Sequence, residues 1–313
     1  MKYSGIGGQA VMEGVMMKNK DAYAVAVRKP DGEIEVKKEK FNGISTKSKI
    51  FRAPFIRGII SFIDSLVLGM STLTYSSSFY EDEEDGKKTE EQKAKDDKIF
   101  NIISIVVAVI FAVGIFVVGP LLISHFFLSR IISSSLLITF LEGVIRLGLF
   151  VGYVALISLM KDIKRVYMYH GAEHKCINCI EHGLELTPEN VKKSSKEHKR
   201  CGTSFMLIVM CIAILVLMLV RFDSVLLKML ARLVLIPVIA GISYELLRLA
   251  GSYDNLFTRI LSKPGLLLQG LTTKEPDDDM IEVGIASVEA VFDWRAYLEE
   301  NFGVGNDDTQ ENS

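Results

Sequence analysis

Four long apolar runs, at residues 99–123, 133–160, 203–220 and 225–249, limit what this chain can fold into. A helix needs about 20 predominantly apolar residues to cross a hydrocarbon core, and each run is near or above that length. A helix buried in a soluble core keeps a polar face, and these runs scarcely have one. The fourth holds Pro237 and Gly241, which membrane helices tolerate where neighbours satisfy the freed backbone groups. The fold class expected is therefore mainly α: a multi-pass membrane protein with about four transmembrane helices. A mean hydropathy of +0.30 and 49% hydrophobic residues over 313 positions agree. The formal net charge of −2 excludes a globally basic, nucleic-acid-binding surface, so membrane lipids are the expected surroundings.

The remaining sequence divides around these runs. Residues 1–50 read as a small β-containing cap, in which 22–28 and 33–41 flank a Lys-Pro-Asp-Gly turn as a β-hairpin. The run Gly5-Ile6-Gly7-Gly8-Gln9-Ala10 matches a dinucleotide fingerprint only superficially, because no strand precedes it and no βαβ unit follows. Residues 51–80 set Phe55, Ile59, Ile63, Leu66 and Met70 at helical spacing opposite Arg57, Ser61 and Asp64. That pattern predicts an amphipathic interfacial helix lying on the bilayer surface. Residues 81–98 are nearly all charged and read as a solvated linker. The transmembrane domain then covers 99–260 and carries the polar loop 161–203. A C-terminal cytoplasmic segment follows at 261–302, ending in an amphipathic helix over 280–302. The Asn- and Asp-rich residues 303–313 are expected to be disordered.

Charge sets the expected orientation. Lys161, Lys164, Arg165, Lys175, Lys192, Lys193, Lys196, Lys199 and Arg200 crowd the 161–201 loop, while the opposite connections hold only Arg130, Arg221 and Lys228. The positive-inside rule then puts that loop and both termini in the cytoplasm, with the chain in the cytoplasmic membrane. The first residues lack an apolar core of signal-peptide length, so the first span is expected to insert without a cleaved leader.

The polar loop carries the chemistry. His170 and His174 stand four apart, so on a helix their imidazoles share one face and can take one metal ion. Glu173 completes a His-x-x-Glu-His order, in which the carboxylate serves as general base to water activated by a metal. His198 and Cys201, just before the third run, offer two further donors. Two coordination schemes are open. In one, His170 and His174 are joined by His198, Cys201 or the more distant Glu245, and a position stays open for water. In the other, Cys176 and Cys179 join His198 and Cys201 in a closed structural zinc site. Gln9, Glu13 and Arg248 are candidates to line or support the same cavity, as is the polar block 269–276. Within the second run, Glu142 and Arg146 stand at i and i+4, where an unpaired charge costs on the order of 2.5–3.5 kcal/mol. They form a candidate intramembrane polar pair, of functional or structural use.

The stretches GGQAVMEGVMM, YHGAEHK, LTPENV, HKRCGTSF and PGLLLQGLTTKEPDD extend over nearly the whole chain. Together they resemble the YqhQ-like family of bacterial membrane proteins, a domain of unknown function (1385) described as predicted metal-dependent enzymes. The resemblance implies a histidine-based metal site at His170, Glu173, His174, His198 and Cys201. Cys176 and Cys179 fall outside the family's motif, which favours the first scheme. The expectation that follows is a metal-dependent, hydrolase-like membrane enzyme with a divalent transition metal, zinc first. Its substrate would be lipid-linked or a membrane protein. The alternative is a zinc-stabilised scaffold, assembly factor or transport component, the last as a homo-oligomer.

Overall fold

The computed structural model describes residues 2–80, 90–220, 222, 224–252 and 255–303. Residues 81–89 of the expected linker and the tail from 304 onward lie outside these residues. The chain divides into two compact units: residues 1–80, 155–208 and 240–313 form the first, and 81–154 with 209–239 form the second.

The first unit is built on an antiparallel meander of four strands, β1 (Ile6–Val11), β2 (Gly14–Asn19), β3 (Ala22–Arg28) and β4 (Ile34–Lys40). The expected hairpin is its β3–β4 half, with Arg28 paired to Ile34 across the Lys29–Glu33 turn. The sheet is larger than expected because the glycine-rich start is itself strand, closed by a two-residue turn at Met12 and Glu13. Side chains alternate across β2, so its two faces bury against different partners. Val15 and Met17 pack against α4 (Lys161–Glu181) and α9 (Asp278–Val291), while Met16 joins Val11, Val25, Val27, Phe41 and Leu68 on the other face.

Leu68 belongs to α1 (Ile56–Ser77), the helix expected to lie at the interface. Its small and polar side, Gly58, Asp64, Thr72 and Ser76, is buried, and Phe62, Ile63, Leu66, Val67 and Met70 are exposed. The Asp64 carboxylate accepts from the Ile44 and Ser45 amides at 2.7 and 3.0 Å. Amphipathicity was correctly legible here, but protein covers the polar side and the apolar side faces outward. The C-terminal segment forms α8 (Leu256–Thr272), α9 and α10 (Trp294–Phe302). The helix expected over 280–302 is thus interrupted at Phe292 and Asp293, where Asp293 caps α10.

The second unit is helical. Residues 90–131 form one long helix, α2, so residues 90–98 of the expected linker are helical. Two π-helical turns, Gly114–Val118 and Ser124–Leu128, interrupt α2 on either side of Pro120, whose missing N–H breaks the regular ladder. α3 (Ser135–Ile157) follows; in this unit its Phe150 and Tyr153 stack edge-on against Phe116.

Among the described residues, four helices are long and apolar enough to cross a membrane: Ile56–Ser77, Ile102–Ile131, Ser135–Ile157 and Leu226–Ala250. The last lies in α7 (Val225–Ser252). The number agrees with the sequence expectation and the membership does not. α6 (Gly202–Leu217) has 16 residues, about 24 Å of helix against a core of about 30 Å, whereas α1 meets both criteria.

Candidate metal centre

α4 is the spine of the site. The small residue Gly171 lets it lie against the segment after α8: a methyl group there would sit 2.0 Å from the Lys274 carbonyl oxygen. The Lys274 amide donates to the Tyr167 carbonyl at 2.9 Å, fixing that contact. On the sheet side, a methyl on Gly8 would lie 3.1 Å from Cγ of Glu173, so β1 backs the helix at the candidate base.

His170 and His174 share one face of α4, their ring centroids 4.4 Å apart. Each Nδ1 is within hydrogen-bond distance of a backbone carbonyl, His170 of Thr272 O at 2.9 Å and His174 of Lys196 O at 2.6 Å. A carbonyl only accepts, so each Nδ1 donates, and Nε2 is the nitrogen of each ring turned toward the cluster. Metal-binding histidines are oriented in this way. The Nε2 of His170 lies 3.2 Å from Cys201 Sγ, and the donor atoms of His170, His174 and Cys201 all fall within 4.8 Å of one another. Tetrahedral zinc with bonds of about 2.0–2.3 Å separates its ligand atoms by roughly 3.3–3.8 Å, close to this spacing.

Electrostatics favours the same pairing. Burial alone would push the Cys201 thiol up, but the charges of His170 and His174 and their hydrogen bonds hold it well below its ordinary value. Burial likewise acts to lower His170, yet the Cys201 thiolate, with help from Glu173, raises it to about 9. Glu173 stands beside the group: its Oε2 is 3.8 Å from His170 Nε2 and 3.9 Å from His174 Nε2.

The other sequence candidates are distributed differently. His198 does not join the three donors. Its Nε2 lies 3.5 Å from Oε2 of the fully buried Glu181, whose other oxygen accepts from Arg200 and, at 2.7 Å, from Ser4 Oγ. Cys176 and Cys179 point into the apolar core around α9, and Cys179 Sγ donates to the Glu185 carbonyl at 3.2 Å. Burial pushes both thiols up, Cys179 to about 11. Among the described residues, the closed Cys3His arrangement is not assembled. The Glu245 carboxylate is taken by Arg57, and the Phe55 amide adds a bond at 3.2 Å. Arg248 lies one turn further along α7. Gln9 donates to Thr72 of α1 at 3.0 Å, and Glu13 clamps the β1–β2 turn onto Arg165 and Tyr169 of α4.

Several residues support the segment around His198: Gln269 belongs to the polar block 269–276 named from the sequence, whereas Asn178 and Lys175 are not among the sequence's site candidates. Gln269, fully buried, brackets His198 by accepting from its amide and donating to its carbonyl, both at 2.8 Å. Asn178 donates to the Ser195 and Glu197 carbonyls at 2.7 and 2.9 Å, and Lys175 to those of Lys192 and Ser194 at 3.0 and 2.9 Å. One signal was available: His170, His174, Asn178 and Glu181 form a continuous polar stripe at helical spacing, longer than the two histidines used.

Glu181 also makes a testable claim. Burial opposes its charge, but the hydrogen bond from His198 and the charge of Arg200 lower it to about 2. An unfolded glutamate titrates near ~4.3. The ion therefore contributes stability in full above that pH and loses it as pH falls towards 2. Acid titration of the fluorescence of Trp294, the one tryptophan, should report this loss. Glu181→Gln should flatten the pH dependence across that window; identical titrations of the two proteins would count against the assignment.

These features define a helical protein with membrane-length helices and a sheet-backed histidine–cysteine cluster. The family described as a protein of unknown function (DUF1385) matches residues 53–294. The chain is also 36% identical over 302 residues to the uncharacterized protein YqhQ of Bacillus subtilis (strain 168), covering 94% of each. It belongs to the YqhQ-like family. No solved structure matches it.

Proposed function

We propose that this chain is a membrane-embedded, metal-dependent enzyme of hydrolytic type, with His170, His174 and Cys201 as the metal ligands. The observation that carries the reading is the convergence of two Nε2 atoms and one thiolate once both Nδ1–H groups are committed to carbonyls, a place where a metal ion would replace the proton shared by His170 and Cys201. Two nitrogens and a sulfur suit zinc, and three protein ligands leave a fourth position open. A zinc ion supplies Lewis-acid polarisation of water or of a substrate oxygen. Glu173, beside both imidazoles, would be the general base for water activated there. The cationic 161–201 stretch supports a cytoplasmic site, and the apolar α6 beginning at Gly202 supports a lipid-linked or membrane-protein substrate.

The test is Glu173→Gln. The variant should keep its zinc by elemental analysis and lose complementation of a strain lacking its own copy, a deficit of ~100-fold or more in activity for a general base. Full complementation would remove the enzymatic mechanism. One observation favours a second reading: His174 and Cys201 are 1% and 6% exposed and tie the 196–201 segment to α4. A zinc-stabilised scaffold would tolerate Glu173→Gln and still fail without His174.

A further inference from the structure

Glu142 lies in the apolar helix α3, deep in the second unit, and is matched by more positive charge than it can neutralise. Its Oε1 accepts from Arg146 at 2.9 Å, and its Oε2 accepts from Arg232 of α7 at 2.7 Å and from Ser124 Oγ at 3.1 Å. One carboxylate thus faces two guanidinium groups, one of them 90 residues away in the chain. Glu142 and Arg232 are 3% and 8% exposed. Arg232 Nη1 and Arg146 Nε are buried and have no hydrogen-bond partner among the described residues. Leaving such a charged donor unpaired in a buried site is costly, so the arrangement calls for an acceptor.

A cavity of about 300 Å³ adjoins this cluster, lined by Arg232, Glu142, Lys228, Ser124, Ser133 and His125 among others. Ser124 and His125 come from the second π-helical turn of α2, a distortion that recurs at functional sites. Ser124, Glu142 and Arg232 each stand about two turns, roughly 10 Å, inside the end of their helix.

We propose that this cavity is an anion site for a phosphate group, carried on a lipid headgroup or free. Glu142 holds Arg232 through one nitrogen, the one carboxylate leaves the two guanidinium groups with a net positive charge, and Lys228 adds a further cation at the cavity wall. A guanidinium so positioned matches phosphate oxygens in geometry and charge.

The test uses the full-length chain in detergent, titrated with inorganic phosphate, with short-chain phosphatidylglycerol, and with the matching diacylglycerol that lacks phosphate. The readout is saturable ligand-dependent stabilisation. Wild type should respond to at least one phosphate-bearing probe and not to the diacylglycerol. Arg232→Gln should weaken binding about tenfold or more, the effect of one charge-assisted hydrogen bond. Lys228 lies outside the Glu142 ion cluster, so Lys228→Gln should stay folded and bind several-fold more weakly even if Arg232→Gln does not fold. A response to phosphatidylglycerol alone assigns a lipid headgroup; a response to inorganic phosphate assigns a free anion. Failure of both phosphate probes, an equal response to diacylglycerol, or unchanged affinity in Lys228→Gln would overturn the proposal.

Discussion

On the proposed ligand assignment, replacing His174 with alanine is expected to abolish zinc binding. Wild type purified without chelator should carry close to one equivalent of zinc, and His174→Ala less than about a tenth of that after dialysis. Apparent zinc affinities of about 10–16 kcal/mol spread over four donors assign roughly 3 kcal/mol to each, about a hundredfold in affinity. His174 does more than donate Nε2. Its Nδ1–H bond to Lys196 O, at 2.6 Å, also anchors the segment that carries Cys201. Two ligands are thus disturbed by one change. Cys179→Ser is the control, since that thiol donates to the Glu185 carbonyl in the apolar core and should leave zinc unchanged. Elemental analysis of the three proteins decides the matter, and a His174→Ala protein with its zinc intact would end the ligand assignment.

The second large effect is expected at Glu142. Glu142→Ala leaves Arg146 and Arg232 facing each other across a buried site with no counter-charge. Breaking a buried ion pair by removing one partner costs about 3–5 kcal/mol, because the remaining charge stays desolvated. Two stranded guanidinium groups place this variant at the upper end of that range. Thermal unfolding in detergent, without added anion, should show a large fall in midpoint and reduced yield of folded protein. Glu142→Gln should be milder, since the amide oxygen still accepts one hydrogen bond. An unfolding midpoint equal to wild type would mean the cluster contributes nothing to holding α3 to α7 within this unit.

Local signals were the legible ones. The hairpin of β3 and β4 was readable because a Lys-Pro-Asp-Gly turn separates two alternating strands. Strands β1 and β2 were not, since glycines at 7, 8 and 14 dilute the alternation and the turn at Met12 and Glu13 carries no glycine of its own. Glu13 takes φ of 48°, a conformation uncommon for such a residue, and its carboxylate is held by Arg165 and Tyr169. That contact spans 152 residues of chain and has no local signature. The partner of Glu245 was hidden for the same reason: Arg57 lies 188 residues away, in the helix read as interfacial.

The sequence by itself determined that the chain carries membrane-length helices and that the chemistry gathers on the loop between two of its apolar runs. Hydrophobic length and the four-residue spacing of His170 and His174 are local properties, fixed by helix geometry alone. Tertiary structure decided which remaining donor completes the cluster. His198 and Cys201 sit three residues apart and looked equivalent, yet Gln269 and Glu181 hold the first while the second reaches His170 at 3.2 Å. The same was true at Glu142, whose pairing with Arg146 was readable at i and i+4. Arg232 was not, because hydrogen bonds between distant segments depend on how the helices pack.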